Sequence, residues 1–146
     1  MIDPTVQRLK SPGDCEQYAK NVEAKHPDLA KQARRRGVEL RALQYGTNTD
    51  VERDALQAIY ALEEVRSQRA GRRVRANRTW QSVQRHGIVP TVERVVARRA
   101  VTKGYDWLVN AGMEDFTFEA VVLRNPNLFS PMALSQAEER LHTKLL

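Results

Sequence analysis

Cysteine is nearly missing from this chain of 146 residues, because Cys15 is the only one. No disulfide can form within the chain, which argues against a secreted scaffold held together by disulfides. No apolar run approaches the roughly 18 residues that cross a bilayer, and the first residues contain no apolar segment of the kind found in a signal peptide. The sequence therefore predicts a cytoplasmic protein with no membrane association.

Residue patterns that carry catalysis are also scarce. The histidines His26, His86 and His142 lie far apart and do not have the spacing of metal ligands. The sequence has neither a glycine-rich phosphate loop nor a Gly-x-Ser-x-Gly segment. The stretch Glu23–Lys25 matches the Glu-x-Lys element of many nucleases, but it falls in a predicted helix, whereas that element needs a strand. We therefore predict no cofactor, no metal and no enzymatic activity; a nuclease site assembled only in the fold is the remaining enzyme hypothesis.

Helix signals recur along the whole chain. Ser11–Asp14 and Thr49–Glu52 are typical N-terminal caps, and apolar residues follow them at the 3.6-residue spacing of a helix. Alternating β segments do not recur, so we predict an all-α fold. The expected architecture is a single compact orthogonal bundle of about seven short helices over residues 11–146, preceded by a loose lead-in over residues 1–10.

Positive charge is concentrated in one part of the chain. The net charge of the whole sequence is +6. Residues 65–103 contain eleven Lys or Arg and a single acid, Glu93, which gives this Arg-rich middle a charge of +10, whereas residues 1–64 carry −1 and residues 104–146 carry −3. Such a localised basic stretch is typical of proteins that bind nucleic acids or other polyanions.

Between Val65 and Val92 the sequence has no acid and seven arginines. Like charges at this density repel one another unless solvent, salt or an anionic ligand screens them. The leading hypothesis is therefore a noncatalytic nucleic-acid-binding protein, with DNA and RNA both open. Trp80 in this stretch is either a core residue or an exposed platform on which a base stacks. The predicted phosphate-binding residues are Arg69, Arg72, Arg73, Arg75, Arg78 and Arg85, and Arg98, Arg99 and Lys103 widen the patch.

Roles without nucleic acid are also compatible with these arginines. They can lie on a solvated helix face, or bind an acidic protein partner, which would make the chain a protein–protein interaction module or a regulatory or accessory subunit. A homodimer in which the basic middle of one copy meets the acidic C-terminal third of another is a related arrangement. Ion pairs within the chain are a further alternative, and the candidate acids are Glu63, Glu64, Glu114, Asp115 and Glu119.

The segment from residue 81 to residue 97 suggests a helix-turn-helix. Asn77 is expected to cap a helix that ends before Gly87, and Pro90 is expected to open a second helix that would enter a DNA groove. Pro90 and Glu93 occupy positions where the usual motif has other residue types, so an ordinary helical hairpin is the alternative.

Overall fold

The computed structural model of the protein describes residues 1–98 and 100–145, with side chains in the last helix as far as Leu141. All regular secondary structure in these residues is helical, which confirms the predicted all-α class. They form nine α-helices, against about seven predicted, and two 3₁₀ turns at Glu114–Phe116 and Pro126–Leu128. The helices are α1 (Pro4–Gln7), α2 (Pro12–Val22), α3 (Pro27–Tyr45), α4 (Asp50–Ala70), α5 (Asn77–His86), α6 (Ile88–Ala97), α7 (Lys103–Asn110), α8 (Phe118–Arg124) and α9 (Pro131–Leu145).

Residues 1–46 and residues 47–146 form two compact units. The first unit contains α1 to α3, and the second contains α4 to α9. Close packing within each part of the chain defines these units, whereas a domain is a part of a protein that folds on its own. The expected single domain over residues 11–146 therefore stays a prediction. Among the described residues, neither unit has a helix with the length and apolar character needed to cross a bilayer.

The core of the first unit is built from small residues on α2 and α3. Ala19 of α2 is buried together with Ala30 and Ala33 of α3, and such short side chains allow two helices to approach closely. Gly37 extends this contact, because a Cβ atom added to it would lie only 3.3 Å from the Cβ of Cys15. Cys15 is fully buried, and its burial raises the pKa of the thiol, which makes it an unreactive core residue.

The lead-in over residues 1–10 contains a short ordered helix and is not loose throughout. Asp3 caps α1 through Oδ1, which accepts a hydrogen bond from the backbone N–H of Thr5 at 2.8 Å. Val6 is fully buried, and the backbone N–H of Asp3 donates to Oε1 of Gln32 on α3 at 2.8 Å. An Asp followed by Pro4 is itself a helix-start signal, so the local sequence contained the information needed to find this helix.

The helix starts predicted at Ser11 and Thr49 lie where the sequence places them. At the start of α2, Oγ of Ser11 accepts a hydrogen bond from the backbone N–H of Asp14 at 3.0 Å. At the start of α4, Oγ1 of Thr49 accepts a hydrogen bond from the backbone N–H of Glu52 at 3.3 Å and donates one to Oε1 of Glu52 at 2.8 Å. Gly71 ends α4 with a φ of 70°, in the left-handed region that glycine adopts without strain.

Two helix starts around Gly87 differ from the prediction. The residue that precedes α5 is Ala76, so Asn77 is the first helical residue and not the cap. The next helix, α6, begins at Ile88, two residues before the predicted Pro90. Pro90 is tolerated as the third helical residue because the first N–H groups of a helix have no acceptor within it.

The second unit is organised around α4, which packs against α6, α7 and α8. Leu56 and Ile59 of α4 are fully buried, together with Val92 and Val96 of α6 and Val121 of α8. Helices α6 and α8 also pack on α9. These five helices enclose the core of the unit, whereas α5 has no buried residue and packs against α6.

Candidate nucleic-acid interface

The Arg-rich stretch leaves the end of α4, runs through a loop at residues 71–76 and continues into α5. Two side chains of α4 hold this loop. Oγ of Ser67 accepts a hydrogen bond from the backbone N–H of Val74 at 2.9 Å, and Oε2 of Glu63 accepts one from the backbone N–H of Ala76 at 2.8 Å. The loop is therefore fixed to the core of the second unit at two points along its length.

Glu63 is a carboxylate that is only 5% exposed, beneath the loop. Its Oε2 also accepts a hydrogen bond from Nε1 of Trp80 at 2.7 Å and lies 3.7 Å from Nε of Arg75. A buried charge requires such partners, because leaving it unpaired away from water costs several kcal/mol. Glu63 thus joins the loop, the first turn of α5 and one predicted phosphate-binding arginine at a single point.

Two of the predicted phosphate-binding arginines face acids of α4. Nη1 of Arg73 lies 3.2 Å from Oε2 of Glu64. Arg75 faces Glu63 through Nε, and its side chain is 65% exposed. The hypothesis of ion pairs within the chain is therefore confirmed for Arg73 and Arg75. Because Arg75 uses Nε for this contact, its two terminal nitrogens remain for solvent or a ligand.

The other acids proposed as partners have different roles. Glu119 pairs with Arg140, with Oε2 accepting a hydrogen bond from Nη1 at 2.8 Å. The backbone carbonyl of Asp115 accepts a hydrogen bond from Nη1 of Arg124 at 2.9 Å. The backbone carbonyl of Glu114 accepts one from Oγ1 of Thr117 at 2.7 Å, within the same turn.

Both tryptophans of the second unit are half-buried and covered. The ring centroid of Trp80 lies 5.4 Å from that of Tyr60 and 5.7 Å from the guanidinium of Arg75. The guanidinium of Arg69 lies 4.6 Å from the ring centroid of Trp107. Trp80 therefore follows neither prediction fully, because it is not in the deep core and its indole N–H is bound to the carboxylate beneath the loop.

Arg72, Arg78 and Arg85 are exposed to solvent. In the part of the chain that the structure describes, their side chains form no ion pair, and the stretch from Val65 to Val92 contains no acid. Arg78 and Arg85 are seven residues apart on α5, so they lie on one face of the helix. We call these three arginines and Arg75 the basic surface.

The remaining predicted residues lie away from α5 in the sequence. Arg98 follows the end of α6 and is exposed, and Lys103 is the exposed first residue of α7. Lys103 is four residues before Trp107, so it lies on the same helix face as the ring that Arg69 covers. Arg69 therefore lies against the face of α7 that also contains Lys103. Arg99 lies outside the described residues.

The predicted helix-turn-helix has two helices of very different exposure. In α6, the expected reading helix, Thr91, Val92 and Val96 are buried. The carboxylate of Glu93 accepts hydrogen bonds from the backbone N–H and the hydroxyl of Ser130 at 2.7 and 2.8 Å, at the start of α9. Helix α6 therefore packs into the core of the second unit through these residues. Of these two helices, α5 alone presents a broad exposed face.

A second polar cluster, which the sequence did not reveal, lies inside the second unit. The side chain of Arg140 on α9 donates to Glu119 of α8 and to the backbone carbonyls of Val96 and Arg98. Burial raises the pKa of the Glu119 carboxyl above its ordinary value, and the hydrogen bond from Arg140 acts in the opposite direction. Burial, with a contribution from the charge of Glu119, raises the pKa of Tyr105 to about 12.

Among the described residues, no three His, Cys, Asp or Glu side chains are grouped so that they hold a metal ion. No known protein family matches the chain, and no curated protein or solved structure is significantly similar to it. We therefore base the assignment of a function on the geometry of α5 and the loop before it.

Proposed function

We propose that the protein is a noncatalytic nucleic-acid-binding protein that contacts phosphates through the basic surface formed by Arg72, Arg75, Arg78 and Arg85. The observation that carries this proposal is the exposure of four arginines on a loop and a helix that the chain itself holds in place, with no acid on either element. Guanidinium groups bind phosphate oxygens with two parallel hydrogen bonds. A fixed array of them binds with less loss of side-chain and loop freedom than a flexible tail.

The contacts around Arg75 support a pre-oriented phosphate contact. Its guanidinium lies over the ring of Trp80, 5.7 Å from the ring centroid, and its Nε lies 3.7 Å from Oε2 of Glu63. The contacts with Trp80 and Glu63 therefore orient the two terminal nitrogens of Arg75, while most of its side chain stays in solvent. Arg73, which is bound to Glu64, contributes less to this surface because its charge is already compensated.

A salt-dependent binding measurement tests the proposal. Fluorescence polarisation is measured with labelled duplex DNA, single-stranded DNA and RNA at about 50 and 200 mM salt, because phosphate-driven affinity falls steeply over this range. We expect the triple variant Arg72→Gln, Arg78→Gln, Arg85→Gln to bind much more weakly than the wild type. The slope of the logarithm of the binding constant against the logarithm of the salt concentration should become shallower by up to about 3, since each phosphate contact contributes about 0.9.

The matched control removes the same charge elsewhere. Lys10, Lys25 and Lys31 are exposed residues of the first unit, and their triple change to Gln lowers the net charge by the same amount. This control variant should bind as the wild type does. Equal loss of affinity in both triple variants would mean that overall charge, and not the basic surface, governs binding.

An acidic protein partner is the alternative that the same measurement separates. No binding of any nucleic acid at the lower salt would refute the proposal and favour an acidic protein as the partner of the arginines. Sedimentation at the two salt concentrations then detects a charge-complementary homodimer, which dissociates as salt rises. Incubation with plasmid and a divalent metal tests the enzyme hypothesis, because a nuclease would nick the plasmid.

A further inference from the structure

We infer that α5 is a groove-reading helix and that the ligand of the basic surface is duplex DNA, whose base edges Gln81 and Gln84 contact. This inference rests on the proposed function and names its substrate. Among the α-helices of the described residues, α5 alone has no buried residue. A reading helix must project from its scaffold in this way, because its outer face has to enter the groove.

The two faces of α5 differ sharply in composition. The inner, half-buried face contains Trp80 and Val83, and it is attached to α4 through the bond from Trp80 to Glu63 and to α6 through a 2.9 Å hydrogen bond between Ser82 and Thr91. The outer face has neither acids nor apolar residues. All its side chains can form hydrogen bonds, and they are Asn77, Arg78, Gln81, Gln84 and Arg85.

The dimensions of α5 suit the major groove. The groove is about 12 Å wide and admits the diameter of one α-helix, and at a rise of 1.5 Å per residue Arg78 and Arg85 are about 10.5 Å apart along the helix axis. Arginines near the two ends of α5 are then placed to reach the phosphates that border the groove. Gln81 and Gln84 lie between them, and glutamine forms paired hydrogen bonds with N6 and N7 of adenine.

The alternative nucleic-acid ligands fit this surface less well. Sequence-tolerant binding of single strands uses exposed aromatic rings on which bases stack, and the rings of Trp80 and Trp107 are covered by Arg75 and Arg69. Double-stranded RNA has a deep and narrow major groove that side chains do not read. Duplex DNA is the form whose groove accepts a helix with this outer face.

Selection of duplexes from a random DNA library, followed by polarisation measurements, tests the inference. We expect the wild type to bind its selected duplex at least about tenfold more tightly than a random duplex, in line with the discrimination given by paired hydrogen bonds to a base. The double variant Gln81→Ala, Gln84→Ala should bind both duplexes with the affinity of the wild type for the random one. A control variant, Gln7→Ala with Gln44→Ala on other exposed helix positions, should keep the preference.

Replacing the selected adenines by 7-deazaadenine removes the N7 acceptor and sharpens the test. This replacement should weaken binding of the wild type severalfold and leave binding of the Gln81 and Gln84 variant unchanged, because the lost contact is already absent there. Binding without sequence preference, or equal binding of single strands or of duplex RNA, would overturn groove reading and leave the proposed phosphate binding standing. Absence of binding to every nucleic acid would instead overturn the proposed function itself.

Discussion

Arginines of the second unit occupy two contrasting environments. Arg140 is only 7% exposed and donates hydrogen bonds to a carboxylate and to two backbone carbonyls. Arg78 and Arg85 are exposed on α5, and in the described residues their side chains contact no acid. The same side chain is therefore a structural element in one region and a candidate ligand contact in the other.

Burial decides whether an arginine of this chain serves the fold or is open to a ligand. A buried guanidinium requires nearly all of its donors to be satisfied, since an unpaired buried charge is costly, so Arg140 has little capacity left for a partner. An exposed guanidinium gains little from a surface ion pair and keeps its donors for a ligand. Counting arginines does not distinguish these cases, whereas burial and hydrogen-bond partners do.

Removing Arg140 should give the largest effect on stability. Arg140→Ala leaves the carboxylate of Glu119, which is 4% exposed, without its partner, and it leaves two backbone carbonyls near the end of α6 without a donor. We expect the free energy of unfolding to fall by about 3–5 kcal/mol, as for other buried pairs that lose one member. Urea unfolding followed by circular dichroism measures this change.

A double variant serves as the control for this prediction. Arg140→Met with Glu119→Gln removes both charges together and should recover part of the lost stability, because no unpaired buried charge remains. A loss below about 1 kcal/mol for Arg140→Ala would show that the pair does not hold α8 and α9 together.

Glu63 is a buried acid that faces an exposed arginine, Arg75, and its removal should have the next largest effect. Glu63→Leu leaves the backbone N–H of Ala76 and the indole N–H of Trp80 without an acceptor. We expect a loss of about 2 kcal/mol, since each of the two unsatisfied donors costs at least about 1 kcal/mol. The change should also weaken nucleic-acid binding, because the loop and Arg75 lose their anchor. Full affinity in a folded Glu63→Leu protein would contradict the anchoring role.

The helices could be predicted from the sequence because their signals are local. Ser11 and Thr49 cap helices through backbone groups three positions away. The shift of the α6 start from Pro90 to Ile88 is an error of two residues at a helix end, where proline gives an ambiguous signal.

The site could be predicted only in part. The exposed arginines were found by charge alone, whereas the bonds that position them join residues far apart in the chain. Glu63 binds groups 13 and 17 residues away, and Arg140 binds a carbonyl 44 residues away. One signal was present, because Glu63 falls on the same helix face as Leu56 and Ile59, and an acid on an apolar face indicates a buried partner.

Replacing Tyr105 should give the smallest change in the free energy of unfolding, and the pH dependence of that change has a sign that follows from the raised pKa of Tyr105. Its hydroxyl is buried and has no hydrogen-bond partner among the described residues, so Tyr105→Phe should leave stability at neutral pH unchanged or raise it by up to about 1 kcal/mol. Burial, reinforced by the charge of Glu119, raises the pKa of Tyr105 to about 12, whereas an unfolded tyrosine ionises near 10.

The stabilising effect of this raised pKa is complete below pH 10 and is lost as the pH rises towards 12, because the unfolded state releases its proton first. Between pH 8 and 11 the wild type should therefore lose about 1 kcal/mol more stability than the Tyr105→Phe variant. Urea unfolding of both proteins at the two pH values measures this difference, and all other titrating groups cancel in the comparison. Equal losses in the two proteins would show that the Tyr105 hydroxyl reaches water in the folded state, and the polar cluster around Arg140 would then be more open than its burial indicates.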